Sequence, residues 1–374
     1  MSWEEHKLKD VATFINGKAY KAAELLENGK YRVLRVGNLF TSNSWYYSDL
    51  ELNPDKYCSN GDLIYAWSAT FGPRIWKEEK VIYHYHIWKV EPKTNLIDKM
   101  FLFYLLDWDS ENIKSTFGTG ATMIHVSKSS IETRDILLPP LQTQKRIADI
   151  LSAYDNLIEN NLKRIKLLEQ AAQNIYKEWF VNLRFPGHEN TPINEETGLP
   201  VGWEEKALGE FTEIKKGKNI TKSTIKEGNV PVVAGGLKPA YYHNTSNTSN
   251  PVITVSASGA NAGYVNMYLE DIWASDCSYI DSKLSDSVFF IHNLLSNQQE
   301  LIFGMQRGAA QPHVYTKDLK RAEFVIPDKG LIQKFEEQVS AQYEMKRVLL
   351  NQNQKLKAAR DILLPRLMNR TIEV

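Results

Sequence analysis

The chain has 374 residues, with 45 lysines and arginines against 45 aspartates and glutamates, 43% hydrophobic and 24% charged residues. That length and composition suit two or three globular domains, and the neutral balance counts against a protein that coats nucleic acid through basicity alone. No apolar stretch is long enough to cross a bilayer, and Cys58 and Cys277 lie far apart with no metal-ligand spacing, so a cytoplasmic, disulfide-free protein is expected.

Residues 1–140 read as short strands divided by turns. Tyr31–Val36, Asp62–Trp67 and Val81–Val90 carry the β-branched and aromatic residues that strands prefer, and a helix is expected at Met100–Leu106. Leu138-Pro139-Pro140 closes this region, because Pro140 has no amide donor and Pro139 is held out of the helical region. From Gln142 the pattern changes. Ile147, Leu151, Tyr154, Ile158, Asn161, Ile165, Leu168, Ala172, Ile175 and Trp179 fall alternately four and three apart, a heptad seam with one polar interruption at Asn161. A helix over 142–180 would be roughly 58 Å long, and so narrow an apolar stripe calls for a second helix beside it.

A stretch rich in Pro, Gly, Asn and Thr then links to a second α+β region over 203–327, in which Val252–Ser256 corresponds to the 62–67 strand and Val288–Leu295 to the strand-to-helix passage at 87–105. The last segment is again helical, with Phe335, Val339, Leu349, Leu356, Leu363 and Leu367 at equivalent seam positions and Gln342, Lys346, Asn353 and Arg360 between them. Pro365 near its end predicts a stop or kink. The two long helices either pair, with polar residues fixing register, or pack separately on their own domains. An antiparallel pair would place the domains at opposite ends.

The chain therefore contains itself twice. Trp3-Glu4-Glu5, Leu8 and Gly17-Lys18 return as Trp203-Glu204-Glu205, Leu208 and Gly217-Lys218, while Gly120-Ala121, His125-Val126 and Leu138-Pro139 answer Gly308-Ala309, His313-Val314 and Ile326-Pro327. Two copies of a domain plus helix imply two similar binding surfaces at a set distance, and duplex DNA is the commonest ligand with matching approximate two-fold symmetry.

This order resembles the specificity subunit of type I restriction–modification enzymes over the whole chain. The resemblance is carried by Leu138-Pro-Pro-Leu-Gln-Thr-Gln-Lys-Arg-Ile147, Ile175-Tyr-Lys-Glu-Trp-Phe-Val-Asn182, Gly198-Leu-Pro-Val-Gly-Trp-Glu204 and Leu363-Leu-Pro-Arg-Leu-Met368, in that order. It implies target recognition domains at 1–140 and 203–327, spacer helices at 141–182 and 328–374 joined by a linker at 183–202, and an α+β fold in which the helices form an antiparallel coiled coil. Each domain would read one half of a split site in double-stranded DNA. The helices would dock two methyltransferase subunits, and restriction subunits can join. The second helix is less regular than the first, which leaves the extent of the coiled coil open.

No catalytic equipment stands out. There is no phosphate-cradling Gly-x-x-x-x-Gly-Lys-Ser/Thr loop, and Leu138-Pro-Pro-Leu141 lacks the polar residue of amino-methyltransferases. No cofactor is expected on this chain; S-adenosylmethionine, and ATP with magnesium, belong to the partner subunits. Two other readings are a duplicated scaffold that binds only proteins, and a metal-dependent nuclease using Asp55, Glu78 and Lys80, a spacing that chance often supplies. His84 and His86, two apart on one strand face, suggest sheet packing or a DNA contact before a metal site.

DNA contacts are expected from residues that differ between the halves: Lys18, Lys21, Arg32, Arg35, Arg74 and Lys77 in the first, Lys215, Lys216, Lys218, Lys222, Tyr241, Tyr242, His243 and Asn244 in the second. Arginine can bond guanine in two places, whereas lysine more often meets phosphate. The repeated glycine loop adds Thr119, Thr122 and His125, and Arg307, Gln311 and His313, where a glycine lets the backbone approach a phosphate closely. A turn whose histidine bonds within its own domain is the alternative there.

Overall fold

A computed structural model describes residues 3–40, 44–68, 70–117, 126–308 and 310–374, with side chains to 113 in the third stretch. Two compact units emerge, Met1–Glu159 with Gln354–Val374, and Asn160–Asn353. Among the described residues of the first, one antiparallel sheet takes the spatial order Ala12–Asn16, Ile87–Pro92, Leu63–Ala66, Gly72–Ile75. A second takes the order Tyr46–Ser48, Tyr31–Leu34, Val81–Tyr83, Tyr57–Cys58, its central pair parallel. Glu4–Lys7 pairs with Asp135–Leu138. Leu63–Ala66 is buried on both faces, which is why it reads as an unbroken apolar run rather than an alternation.

The second unit repeats the plan. Lys215–Lys216, Cys277–Asp281, Val252–Ser256 and Val265–Tyr268 make one sheet; Tyr241–His243, Val230–Val233 and Trp273–Ala274 make another, again with a parallel pair; and Glu204–Ala207 pairs with Glu323–Ile326. The duplicated Gly-Lys has a steric cause. A Cβ on Gly17 would lie 2.3 Å from the Tyr83 carbonyl oxygen, and one on Gly217 would lie 2.2 Å from that of Ser275.

Two expectations need correction. Val81–Val90 is not one strand: Val81–Tyr83 belongs to one sheet and Ile87–Pro92 to the other, so the chain must turn at 84–86 to cross between them. His84 and His86 therefore sit on that turn, ring centroids 4.8 Å apart, and not on one face of a strand. The helix expected at Met100–Leu106 is also longer, running Lys99–Phe117.

The central helix spans Leu141–Tyr176 and continues as a π turn, Lys177–Val181; the C-terminal helix spans Lys329–Met368. Pro365 does not stop the latter, since so near the end its missing N–H interrupts only the last turn. Within each unit the helix segments run antiparallel. Arg360 bonds Asp155 in the first unit, and in the second Asn161 bonds Asn353 at 2.9 Å and Lys346 meets Glu169 at 2.7 Å, so residue numbers rise on one helix as they fall on the other. The second seam looks weak because its polar members are matched across the pair. It also passes through buried Tyr343 rather than Gln342.

Pairing and packing on a domain both occur. In the first unit Ile147, Ala148, Leu151, Leu364 and Leu367 join Phe101 and Leu105 in one core. In the second, Ala172, Tyr176, Phe335 and Val339 join Phe290 and Ile291. The link between the halves is anchored too: Phe185 is buried with Trp203 and Leu331, and Leu199 packs on them.

Asn161 is buried. Changing Asn161 and Asn353 together to leucine should leave stability unchanged or raise it. Asn161→Leu alone removes the bond to Asn353 and should cost about 1 kcal/mol. Thermal unfolding across the double-mutant cycle checks this; equal effects of the single and double changes would contradict the pairing.

Candidate nucleic-acid interface

In the first unit the candidate cations separate into groups. Lys18 and Arg35 lie near the 84–86 turn. The Lys18 backbone N–H donates to the Tyr83 carbonyl at 3.0 Å, and its ammonium meets Glu24 at 3.2 Å. Arg35 is exposed and stacks on Tyr46 at 4.9 Å; Lys21 is exposed, its backbone amide donating to Glu24. Arg32 is held between Glu78 and Glu79, at 3.0 and 3.2 Å, over the Trp45 ring. Lys77 pairs with Glu159 on the central helix. Exposed pairs of this kind are worth at most about 1 kcal/mol, so a phosphate can replace the carboxylate.

Arg74 packs over Phe40 at 4.5 Å. With Lys77 it lines a groove of about 1030 Å³ between the sheet edge, the Lys99–Phe117 helix and the helix pair. Burial, with His86 and Arg35 nearby, lowers the His84 pKa to about 4, so its imidazole is neutral at pH 7.

The second unit exposes Lys215, Lys216, Lys218, Lys222, Tyr241, Tyr242 and Asn244. His243 is a correction: it is buried, packs edge-on against Trp273 with centroids 5.1 Å apart, and its Nδ1 accepts the Lys226 backbone N–H at 3.0 Å. The strand alternation turns it inward between exposed Tyr242 and Asn244. Arg307 meets Asp318 at 3.0 Å, exchanges backbone hydrogen bonds with His313, and His313 stacks on Tyr315. Gly308 between them takes φ +95°, and a Cβ there would lie 2.9 Å from the Gln311 carbonyl oxygen. The His313 ring thus lies against Tyr315 and Gln311 is exposed. Thr119, Thr122 and His125 lie outside the described residues.

The sheet ends match bond for bond. Gly17 N–H donates to the Ile87 carbonyl as Gly217 N–H does to that of Cys277, and Lys18 to Tyr83 as Lys218 to Ala274. Trp67 donates to His86 as Ala257 to Asp276, and Val126 to Trp67 as Val314 to Ala257.

Each unit is also tied to the helices at an equivalent point. Tyr104 Oη donates to Asp155 at 2.6 Å, and Arg360 completes that junction. In the second unit Tyr343 lies 3.0 Å from His292 Nδ1 and 2.9 Å from the Asn293 amide. Beside it Glu336 accepts the Phe290 N–H at 2.6 Å, at the start of the Val288–Asn297 helix. Burial raises the Glu336 pKa to about 7 against those amide bonds, and burial with Lys346 lowers that of His292 to about 3.

The nuclease reading finds no shared site. Asp55 pairs with Lys56, Glu78 with Arg32, and Lys80 lies over the Tyr57 ring. The described residues contain no group of three or more His, Cys, Asp or Glu side chains able to hold a metal. Nor is any described helix long and apolar enough to cross a membrane.

A family model described as the type I restriction modification DNA specificity domain matches residues 1–170 and 200–352. The type I restriction enzyme MjaIX specificity subunit of Methanocaldococcus jannaschii is 27% identical, over 74% of this chain and 69% of that protein. The HindI specificity subunit of Haemophilus influenzae is 23% identical, over 98% and 99%. The crystal structure of the type I restriction–modification S subunit from M. genitalium has the same fold, with a TM-score of 0.60 at 17% identity, covering 98% of this chain and 96% of that one.

Proposed function

The chain belongs to the type I restriction–modification DNA specificity family, and from that premise we propose that its two units each read one half of a split duplex site. On this reading the chain itself is non-catalytic. Methyl transfer from S-adenosylmethionine, and ATP hydrolysis with magnesium where a restriction subunit joins, take place on partner subunits, two methyltransferases docking on the helix pair. That role places the protein in the cytoplasm with the host DNA.

The observation that carries this reading is the repetition of one sheet plan in two units through which the same antiparallel helices pass. Exposed lysines on both units supply phosphate contacts, which position the protein without conveying sequence. The chain's net neutrality is consistent with partners contributing further phosphate contacts.

The test is the methylation profile of host DNA with the chain present, deleted, or carrying residues 203–327 from a relative of different specificity. Deletion should abolish methylation at a split motif, and the exchange should change one half of that motif only. Changing both halves, or neither, would overturn the division of labour. A methylome unmoved by deletion, with the methyltransferase expressed and active, would favour the protein-binding scaffold.

A further inference from the structure

We propose that base readout is carried by the turns at the matched sheet ends, through His84 and Tyr85 in the first unit and Asp276 in the second. This deepens, and rests on, the reading of each unit as a DNA reader. The bonds from Gly17, Lys18 and Trp67 in one unit, and from Gly217, Lys218 and Ala257 in the other, frame the two turns identically. What the frame holds differs: His84-Tyr85-His86 in one, Ser275-Asp276 in the other. A fixed scaffold with changed side-chain chemistry at one place is what two readers of different half-sites require.

The surroundings suit a polyanion. Lys18 and Arg35 flank the first turn. The Lys218 backbone N–H donates to Ala274, which leads into the second, and the Gly259 N–H donates to Pro312 of the loop that carries Arg307 and His313. Within that basic setting Asp276 cannot contact phosphate, because an ionised carboxylate only accepts hydrogen bonds and is repelled by like charge. The Ser258 hydroxyl holds its Oδ2, fixing the carboxylate's direction. In the major groove, the donors that a carboxylate can meet are the amino groups of cytosine and adenine. On the other turn the neutral His84 ring accepts the His86 backbone N–H at Nδ1 and so carries its proton on Nε2, a donor for an acceptor on a base edge. Tyr85 is the most exposed side chain of that turn.

The test is single-base discrimination by the complex with its methyltransferase, measured as methylation rate on duplexes substituted one pair at a time. Asp276→Asn is expected to lose about tenfold discrimination at one base pair of one half-site, and to shift toward adenine, which an amide can bond in two places. Ser258→Ala, which frees the carboxylate, should blur the same pair. His84→Ala should act on the other half-site alone, and it decides the matter if Asp276→Asn does not fold. Unchanged preference at every position, or a uniform loss of rate on all duplexes, would overturn the proposal while leaving the split-site reading intact. A parent complex with no split motif would overturn both.

Discussion

Gly217→Ala is expected to destabilise the second unit by about 3 kcal/mol or more, the upper range for forcing atoms into a packed site. The added carbon would lie 2.2 Å from the Ser275 carbonyl oxygen and 2.8 Å from that of Ala274. Both obstacles are backbone, so no side chain can rotate away. The strand would have to withdraw, giving up the Gly217 and Lys218 amide bonds to Cys277 and Ala274. Gly236→Ala is the control: its new carbon would meet only the Lys238 carbonyl, at 3.6 Å, and the change should stay within about 0.5 kcal/mol. Denaturant unfolding of the two variants measures the difference. Equal stabilities would show that the close approach is not what the duplicated glycine serves. Gly17→Ala should behave like Gly217→Ala in the first unit, against the Tyr83 and His84 carbonyls.

The second large effect lies in the pH dependence of the second unit. Glu336 has a folded pKa of about 7 against an ordinary 4.5. The folded state holds that proton more tightly, so stability falls as pH rises from 4.5 to 7 and returns as pH drops. His292, at about 3 against an ordinary 6.5, works in the opposite sense: the unfolded state takes up the proton first, so stability falls as pH drops from 6.5 towards 3. Each slope is about 1.4 kcal/mol per pH unit.

Between pH 4.5 and 6.5 these two contributions oppose each other, and the parent profile is the reference for the variants. Glu336→Gln removes one of them, and stability should then drop, relative to the parent, by about 3 kcal/mol from pH 6.5 to 4.5. His292→Gln removes the other, and stability should rise, relative to the parent, over the same interval. Urea midpoints at three pH values distinguish the three proteins. Parallel profiles would mean that neither group is held as the structure has it. The opposition arises because both residues serve one junction, Glu336 at the start of the Val288–Asn297 helix and His292 against Tyr343.

The duplication, the family and the helix seam were all legible in the sequence, because each is a matter of order and period. Apolar residues four and three apart specify a stripe on a helix whatever surrounds it, and Ile147, Leu151 and Ile165 are buried. Even the weakness of the second seam was visible as Lys346, Asn353 and Arg360. Its meaning was not, since the partners Glu169, Asn161 and Asp155 lie far away in sequence.

The same limit governs the interface. Composition shows where lysines and arginines occur, and Arg35, Lys216 and Lys222 are exposed, but nothing local marks Arg32 as clasped by Glu78 and Glu79 or His243 as turned inward. Asp276 stood out by no motif. Its position shows only when the Ala257 amide bonds it as the Trp67 amide bonds His86. Sequence by itself determined what is repeated and that a long helix follows each copy, since both follow from residue type and spacing along one chain. Tertiary structure alone decided which charges are spent on one another and which side chains share a turn. Those depend on chain crossings, such as the passage between sheets at 84–86, whose partners are distant in sequence.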